Sequence, residues 1–569
     1  MIYDKYPAVS GRGDCVTGWE AIGGKLRATG ARVIVIESYT GVRQQDLAEL
    51  VRAIGPDLAV DAADALKASV EIDTMVYPDV TDDPVFGRIT QMSIKDFFEL
   101  RALDRLRSDT FAARGTVVVY GTGASLIAQG DLLVYADMPR WEGTLRQRSG
   151  ETSNLGAKNL EERPALKYKR AYFVDWRVLD QMKQSLYERM DFVLDTTDRS
   201  QPKMIEGTQL RESLNATATR PFRVVPYFDP APWGGEWMRR VCELSPEPPN
   251  YGWCFDCVPE ENSLLIDFGG TRFETPALNL VFREPARLLG DRAYEKFGAE
   301  FPIRFDFLDT MGGGNLSMQV HPLTEYIRDK FGMQYTQDES YYLMDAGPDA
   351  SVYLGVKEGI DPAGMIADLK RAEGGDFRFP DEKYVNKWPA RRHDHFLIPA
   401  GTVHCSGANS MVLEISATPY IFTFKLWDWD RLGLDGRPRP VHVDHGANNI
   451  QWDRDTDWVK RELINRSEKI AEGDGWTEEK TGLHEKEPIE TRRHWFTKIC
   501  PHDGAGGVNV LNLVEGEEVL VESPDRAFDP FIVHYAETFI VPAAAGPYSI
   551  RPHGPGEGKT CGTIKASIR

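Results

Sequence analysis

Near Pro221 the hydrophobic pattern of this chain changes period, and the two halves require different kinds of fold. Before that point, apolar runs alternate with helical patterns: "ARVIVIESY" is followed by "QQDLAELVRAI", and "GTVVVYGTGASLI" and "DLLVYADM" are further short apolar runs. The stretch "YKRAYFVDWRVLDQMKQSLYERMDFVLDTT" reads as a helix between two strands, the signature of a βαβ unit. After "RPFRVVPYFDPAPWGGEW" the text turns to short β-rich runs broken by glycine and proline, such as "NSLLIDFGGTRFETP" and "EFPIRFDFLDTMGGGNLSMQVHP". The helical segment "GIDPAGMIADLKRAEGG" interrupts this pattern. Strands then resume in "DHFLIPAGTVHCSGANSMVLEIS" and again in "VNVLNLVEGEEVLVES" and "FIVHYAETFIVPAAAGPYSIRP". "FLIPAGTVH" and "FIVPAAAGPYSI" are alike enough to suggest two barrels of one design. At 569 residues the chain is too long for one core. The expected architecture is multidomain: a layered α/β domain over residues 1–205, an all-β barrel with a helical insertion over 206–480, and a second all-β barrel over 481–569.

Charge and hydropathy narrow the partners. A net charge of −20 argues against a nucleic-acid footprint or an anionic membrane surface, leaving small molecules as the expected ligands. The N-terminus "MIYDKYPAVSGRGD" has no apolar core after a basic start, and no charge-free apolar run approaches the ~18 residues that span a bilayer. A cytoplasmic protein is therefore expected. Seven cysteines, odd in number and sparse, fit a reducing compartment, and the close pair Cys254 and Cys257 is read as two core thiols.

The chemistry begins in "NLSMQVHPLTEY". On an extended strand, Gln319 and His321 project to the same face. Downstream, Glu339 stands in "TQDESYYLMD", and His404 follows a Pro-Ala-Gly turn in "IPAGTVHCSG". Two imidazoles, one carboxylate and an amide oxygen suit zinc or another first-row divalent ion with a position left open for substrate, whereas closed structural zinc sites favour thiolates. His393 and His395 around Asp394, His442, His445 and His534 are read as structural.

"NLSMQVHP", "DESYYLMDAG", "IPAGTVHCSG" and "MVLEIS" occur in the order and approximate spacing of the type I phosphomannose isomerases, and residues 221–569 resemble that family. "FDPAPWGGEW" is similar to its N-terminal signature, and "FKLWDWDRLGLDGRPRPVHVDH" to its tail segment. The resemblance implies cupin (jelly-roll) barrels and a zinc-dependent interconversion of mannose 6-phosphate and fructose 6-phosphate through an enediolate. Carried over by position, Gln319, His321, Glu339 and His404 are the implied zinc ligands, Ser317 lines the substrate pocket, and Trp233 is the signature tryptophan near the site. Two positions depart from the family: Lys425 stands where an arginine is common, and Gln337 where a lysine is common. The exchange of a planar fork for a point charge bears on how the phosphate or enediolate is held. The expected cation is Lys425, with Arg431 as second candidate; the base is open between Glu414, Lys425 and a metal-bound water.

The N-terminal domain resembles a nucleoside-kinase-like P-loop module. "SGRGDCVTGW" and "GTGASL" both lack the lysine of the Gly-Lys-Ser/Thr element, so a degenerate or ligand-sensing domain is expected. Two other functions stand beside the isomerase: a sugar-binding regulatory cupin that has its metal without turnover, and a bifunctional protein whose N-terminal domain transfers phosphate. The oligomeric state is not legible.

Overall fold

A computed structural model describes residues 2–375, 377–418, 422–482, 484, 487–504 and 506–569. The chain folds as two compact units, one comprising Ala8–Ala216 with Ser263–Arg283, the other Met1–Pro7, Thr217–Asn262 and Glu284–Arg569. Both are multi-sheet assemblies, the first mixed α/β and the second dominated by strands.

The α/β unit is built on a seven-stranded sheet with the order Val16–Thr17, Lys203–Glu206, Phe192–Asp195, Leu132–Asp137, Val33–Ser38, Val117–Gly121, Leu58–Asp61. The last five run parallel to one another, and the first two extend the sheet antiparallel. Every residue of the central strand Val33–Ser38 is buried, as a parallel strand covered on both faces must be. The helix Gln44–Ile54 lays Leu47, Leu50 and Ile54 onto Ile34, Ile36, Val118 and Val134, and ends at Gly55 in the left-handed region.

Three expectations for this region are corrected. "AYFVDW", read as a strand, is helical: Ala171–Asp175 form a π-turn between the helices Pro164–Arg170 and Trp176–Leu186, with all five residues buried. A helix apolar on every side cannot be told from a buried strand by period alone. The hairpin Ser263–Phe268 and Thr271–Pro276, assigned from its pattern to the β-rich part, pairs instead with Ala8–Ser10 in the α/β unit. The unit also runs on to Ala216, within the helix Gly207–Thr217, rather than stopping at residue 205.

The second unit contains two antiparallel sheets that carry the candidate site. One has the order His395–Ile398, Asp338–Ala346, Ser410–Ala417, Arg304–Asp309, Trp253–Cys257, Tyr227–Asp229. The other runs Val385–Pro389, Ser351–Val356, His404–Ser406, Met318–Val320, Phe424–Trp427. The helix Pro362–Glu373 interrupts the strands where "GIDPAGMIADLKRAEGG" indicated, started by Asp361, whose side chain accepts from the Ala363 N–H. A further six-stranded sheet and a four-stranded sheet enclose a core that includes Phe496, Leu511, Val519 and Phe539. The six-stranded one already includes Glu468–Gly473 and Trp476–Gly482, so this layer begins before the expected boundary at residue 481. All seven cysteines are free thiols, and no described helix is long and apolar enough to cross a membrane.

Candidate metal centre

In the five-stranded sheet, Gln319 sits directly opposite His404 on one side and opposite Lys425 on the other. His321 follows two residues later, just beyond the end of its strand. Glu339 comes from the six-stranded sheet, near the start of Asp338–Ala346. Antiparallel register and the two-residue repeat thus bring together four groups that span 85 residues of chain between Gln319 and His404.

Nε2 of His321 lies 3.1 Å from Oε2 of Glu339, and Nε2 of His404 lies 2.9 Å from Oε1. The Gln319 amide is 3.2 Å from Nε2 of His404. The ligand-type atoms of His321, Glu339 and His404 all fall within 4.8 Å of one another, and all three residues are fully buried. The opposite ring nitrogens are engaged: Nδ1 of His321 lies 2.9 Å from the Phe422 carbonyl and Nδ1 of His404 2.8 Å from the Thr402 carbonyl. With Nδ1 donating to a carbonyl, each Nε2 carries the lone pair that faces the cluster, the usual outer support of a metal-bound histidine. Nε2 of His321 and Oε1 of Glu339 are buried without a hydrogen-bond partner. Orphaned atoms of this kind, in a two-imidazole, one-carboxylate set with an amide beside it, fit a divalent metal ion.

Burial would push the Glu339 carboxyl up, but His321 and His404 hold it well below the usual carboxylate range. Burial likewise works against protonating His321, yet the Glu339 carboxylate carries that ring up, whereas for His404 burial prevails and pushes the ring down. Gln337, the departure beside the cluster, donates to Glu339 at 2.8 Å and to Glu414 at 3.3 Å, and its carbonyl accepts from the Phe422 N–H at 2.7 Å. A neutral amide can bridge two acids in this way; a lysine there would add a charge. Glu414 itself is buried behind Glu339, and burial together with Asp306 and Glu339 raises its carboxyl well above the ordinary value. That shift favours the neutral form of the carboxyl.

The loop that carries His404 depends on Gly401. Its φ is +89°, and a Cβ there would meet Cγ of Gln451 at 2.7 Å and the Asn449 carbonyl at 2.9 Å. Its N–H donates to the His321 carbonyl at 3.0 Å, tying the two histidine segments together. Arg454 braces the same turn through the carbonyls of Pro399 and Ala400.

Beside the cluster lies a cationic group organised by Asp428. Its carboxylate accepts from Arg431 at 2.6 Å, from Arg439 at 2.9 Å and from the Ser317 hydroxyl at 3.0 Å. Lys425, half-buried next to Gln319, is pushed down to about 7 by burial, with Arg439 adding to the fall and Asp428 opposing it. The structure therefore joins Ser317, Arg431 and Arg439 around one aspartate, whose charge Lys425 also feels. Asp428 and Arg439 were not singled out in the sequence; Asp428 lies within the quoted "FKLWDWDR" run, but nothing in "GRPRP" marks Arg439. Trp233, the signature tryptophan expected near the site, is 1% exposed, its ring packs edge-on against Trp253 at 5.2 Å, and its carbonyl accepts from the Gly314 N–H. Contact with the loop that leads to Ser317 makes it a support of the site. His393 and His395 make separate contacts, with Glu515 and Ser340.

Fold and site together define a multi-sheet α/β protein whose strand-rich unit has a candidate His/Glu/His metal centre flanked by cations. The comparisons place that part of the chain among known proteins. It is 24% identical over 233 residues to the mannose-6-phosphate isomerase ManA of Bacillus subtilis, covering 41% of this chain and 69% of the relative. It is 26% identical over 220 residues to the mannose-6-phosphate isomerase of Streptococcus mutans, covering 38% and 63%. The chain thus spans roughly two-thirds of these relatives' lengths. The crystal structure of the mannose 6-phosphate isomerase from Bacillus subtilis shares the fold over 61% of this chain and 100% of its own, with a TM-score of 0.50 at 18% identity. This part of the chain is related to the type I phosphomannose isomerases. Residues 18–219 match a family described as a domain of unknown function, DUF8485.

Proposed function

We propose that the protein is a zinc-dependent aldose–ketose isomerase that interconverts mannose 6-phosphate and fructose 6-phosphate, with its site in a cupin barrel and a second cupin barrel following. The carrying observation is the convergence of His321, Glu339 and His404 within 4.8 Å, next to the cationic group around Asp428. The expected partners are small sugar phosphates, with no nucleic acid or membrane, and the expected location is the cytoplasm.

His321, Glu339, His404 and the Gln319 amide would hold the ion, which when bound supplies Lewis acidity toward the oxygens of an open-chain sugar. The remaining work falls to side chains of this chain. Isomerisation moves a proton from C2 to C1 and another from the C2 hydroxyl to the C1 oxygen and is redox-neutral, so the site must stabilise an enediolate and serve both proton transfers. Its position across from Gln319 supports Lys425 for the first task, and a side chain pushed down to about 7 can also pass a proton near neutrality. Arg431 and Arg439, two guanidiniums against one aspartate, leave a positive surplus for a phosphate, and the Ser317 hydroxyl belongs to the same group. In this reading Lys425 replaces the family's arginine, and Arg439 supplies the fork that the exchange removes.

The test is a coupled assay of mannose 6-phosphate conversion by the zinc-loaded protein, with unphosphorylated mannose beside it. Turnover of the phosphorylated sugar that chelation abolishes and zinc restores supports the proposal. No turnover of either sugar would sink it and favour a metal-containing sugar-binding protein.

A further inference from the structure

The α/β unit contains a cavity of about 640 Å³ at the carboxyl ends of its parallel strands. Open α/β sheets bind ligands in this position, where consecutive crossovers leave the sheet in opposite directions. Its floor is joined across two adjacent strands. The buried Glu37 accepts from the N–H groups of Gly123 at 2.6 Å and Ser125 at 2.8 Å, and the hydroxyls of Ser38 and Thr122 lie 3.1 Å apart. One wall is the start of the helix Gln44–Ile54, whose N-cap residue, Arg43, makes no side-chain cap hydrogen bond. The exposed N–H groups and dipole of such an end favour an anion.

Two further observations point to a ligand. Thr152 lines the cavity at 8% exposure, and its hydroxyl has no hydrogen-bond partner. A buried hydroxyl without a partner carries a desolvation cost that a bound polar molecule would relieve. In addition, two guanidiniums reach the same wall: Arg199 donates to the Gln45 side chain at 2.6 Å, and Arg43 pairs with Glu151 at 2.6 Å. Nη1 of Arg43 lies 3.5 Å from Oδ2 of the buried Asp46 in the first turn of the same helix.

The lining also decides between kinds of anion. The carboxylates of Asp61 and Glu151 face the same space. They would repel a polyphosphate but can accept hydroxyl protons, and the hydroxyls of Ser38, Thr122 and Thr152 can pair with a polyol. A molecule with one phosphate and several hydroxyls satisfies both sets.

We propose that this cavity is a second binding site, for a sugar monophosphate, with the phosphate against Arg43, Arg199 and the helix start and the sugar hydroxyls against Thr152 and Asp61. The site is independent of the candidate metal centre and does not rest on the isomerase reading. At about 640 Å³ it lies within the usual range for a small-molecule pocket.

The experiment is calorimetric titration of the full chain with fructose 6-phosphate. It is run in the His321→Ala variant, which disables the metal centre, so the outcome does not depend on isomerase activity. Fructose, inorganic phosphate and ATP are titrated in parallel. Saturable binding of fructose 6-phosphate, tighter than that of fructose, phosphate or ATP and weakened at least tenfold by adding Arg199→Gln or Thr152→Val, supports the proposal. Arg199 is exposed, so its replacement leaves the fold intact even if Thr152→Val does not. No binding of the sugar phosphate, unchanged affinity in Arg199→Gln, or tighter binding of ATP overturns it.

Discussion

Nε2 of His404 lies 2.9 Å from Oε1 of Glu339, while Nδ1 of the same ring lies 2.8 Å from the Thr402 carbonyl. One nitrogen is committed to the backbone, and the other is left for the centre of the cluster. His404→Ala and His321→Ala are therefore expected to lower the bound metal to a small fraction of an equivalent, since each removes one of four candidate ligands. Elemental analysis of the purified variants checks this. Unchanged stoichiometry in both would remove the metal assignment.

Lys425 holds a different kind of position: it faces the candidate ligand Gln319 across the strand pair but supplies no ligand-type lone pair as an ammonium. Lys425→Met should reduce kcat by about a hundredfold or more, as loss of a group that stabilises developing charge does, with metal content unchanged. Lys425→Arg should retain more activity than Lys425→Met. Loss of metal in Lys425→Met would instead show a structural role.

Asp428 orients both arginines and Ser317. Asp428→Asn should lower kcat/KM for mannose 6-phosphate by about tenfold, roughly the 1.4 kcal/mol that a displaced charge-assisted hydrogen bond is worth. Comparison with unphosphorylated mannose isolates the phosphate contribution: an equal loss on both sugars would contradict phosphate binding at this group.

At Gly401, φ is +89° and the space for a Cβ is filled by Gln451 and the Asn449 carbonyl. Gly401→Ala is expected to destabilise the fold by about 2–4 kcal/mol, through backbone strain and steric contact together. A urea midpoint measures it, and a change under about 0.5 kcal/mol would mean that the turn relaxes easily.

His494 provides a pH test away from the metal centre. Burial pushes its ring down to about 4, against the pull of Glu478 at 3.2 Å. Its folded value lies below the unfolded one of about 6.5, so its neutral form contributes stability at higher pH that is lost as pH falls from about 6.5 toward 4. In that window the unfolded chain binds a proton that the folded chain does not, a slope of about 1.4 kcal/mol per pH unit. His494→Gln should reduce the acid dependence by about one proton; an unchanged slope in denaturant titrations between these pH values would show that His494 does not titrate in this way.

Several parts of this picture were legible without coordinates. The strand and helix in "ARVIVIESY" and "QQDLAELVRAI" follow from local period, as does the helix at Pro362–Glu373. Gln319, His321, Glu339 and His404 could be nominated because their residue types and flanking turns are local features, and the structure brings them together. Local text failed where burial is complete on all sides, as at Ala171–Asp175, and where a strand's partner is distant in sequence, as for Ser263–Phe268 with Ala8–Ser10.

Sequence by itself determined the change from α/β to β at about Pro221 and the identity of the candidate ligands, because periodicity and side-chain chemistry are properties of short segments. Only tertiary structure decided that Trp233 is buried, that Glu414 is a buried neighbour of Glu339 with its carboxyl raised, and that Arg439 joins Arg431 on Asp428. Those roles depend on burial and on distances between residues far apart in the chain. Both arise only when the strands pair and exclude water, because a charge or a ring has its energetic character from what surrounds it.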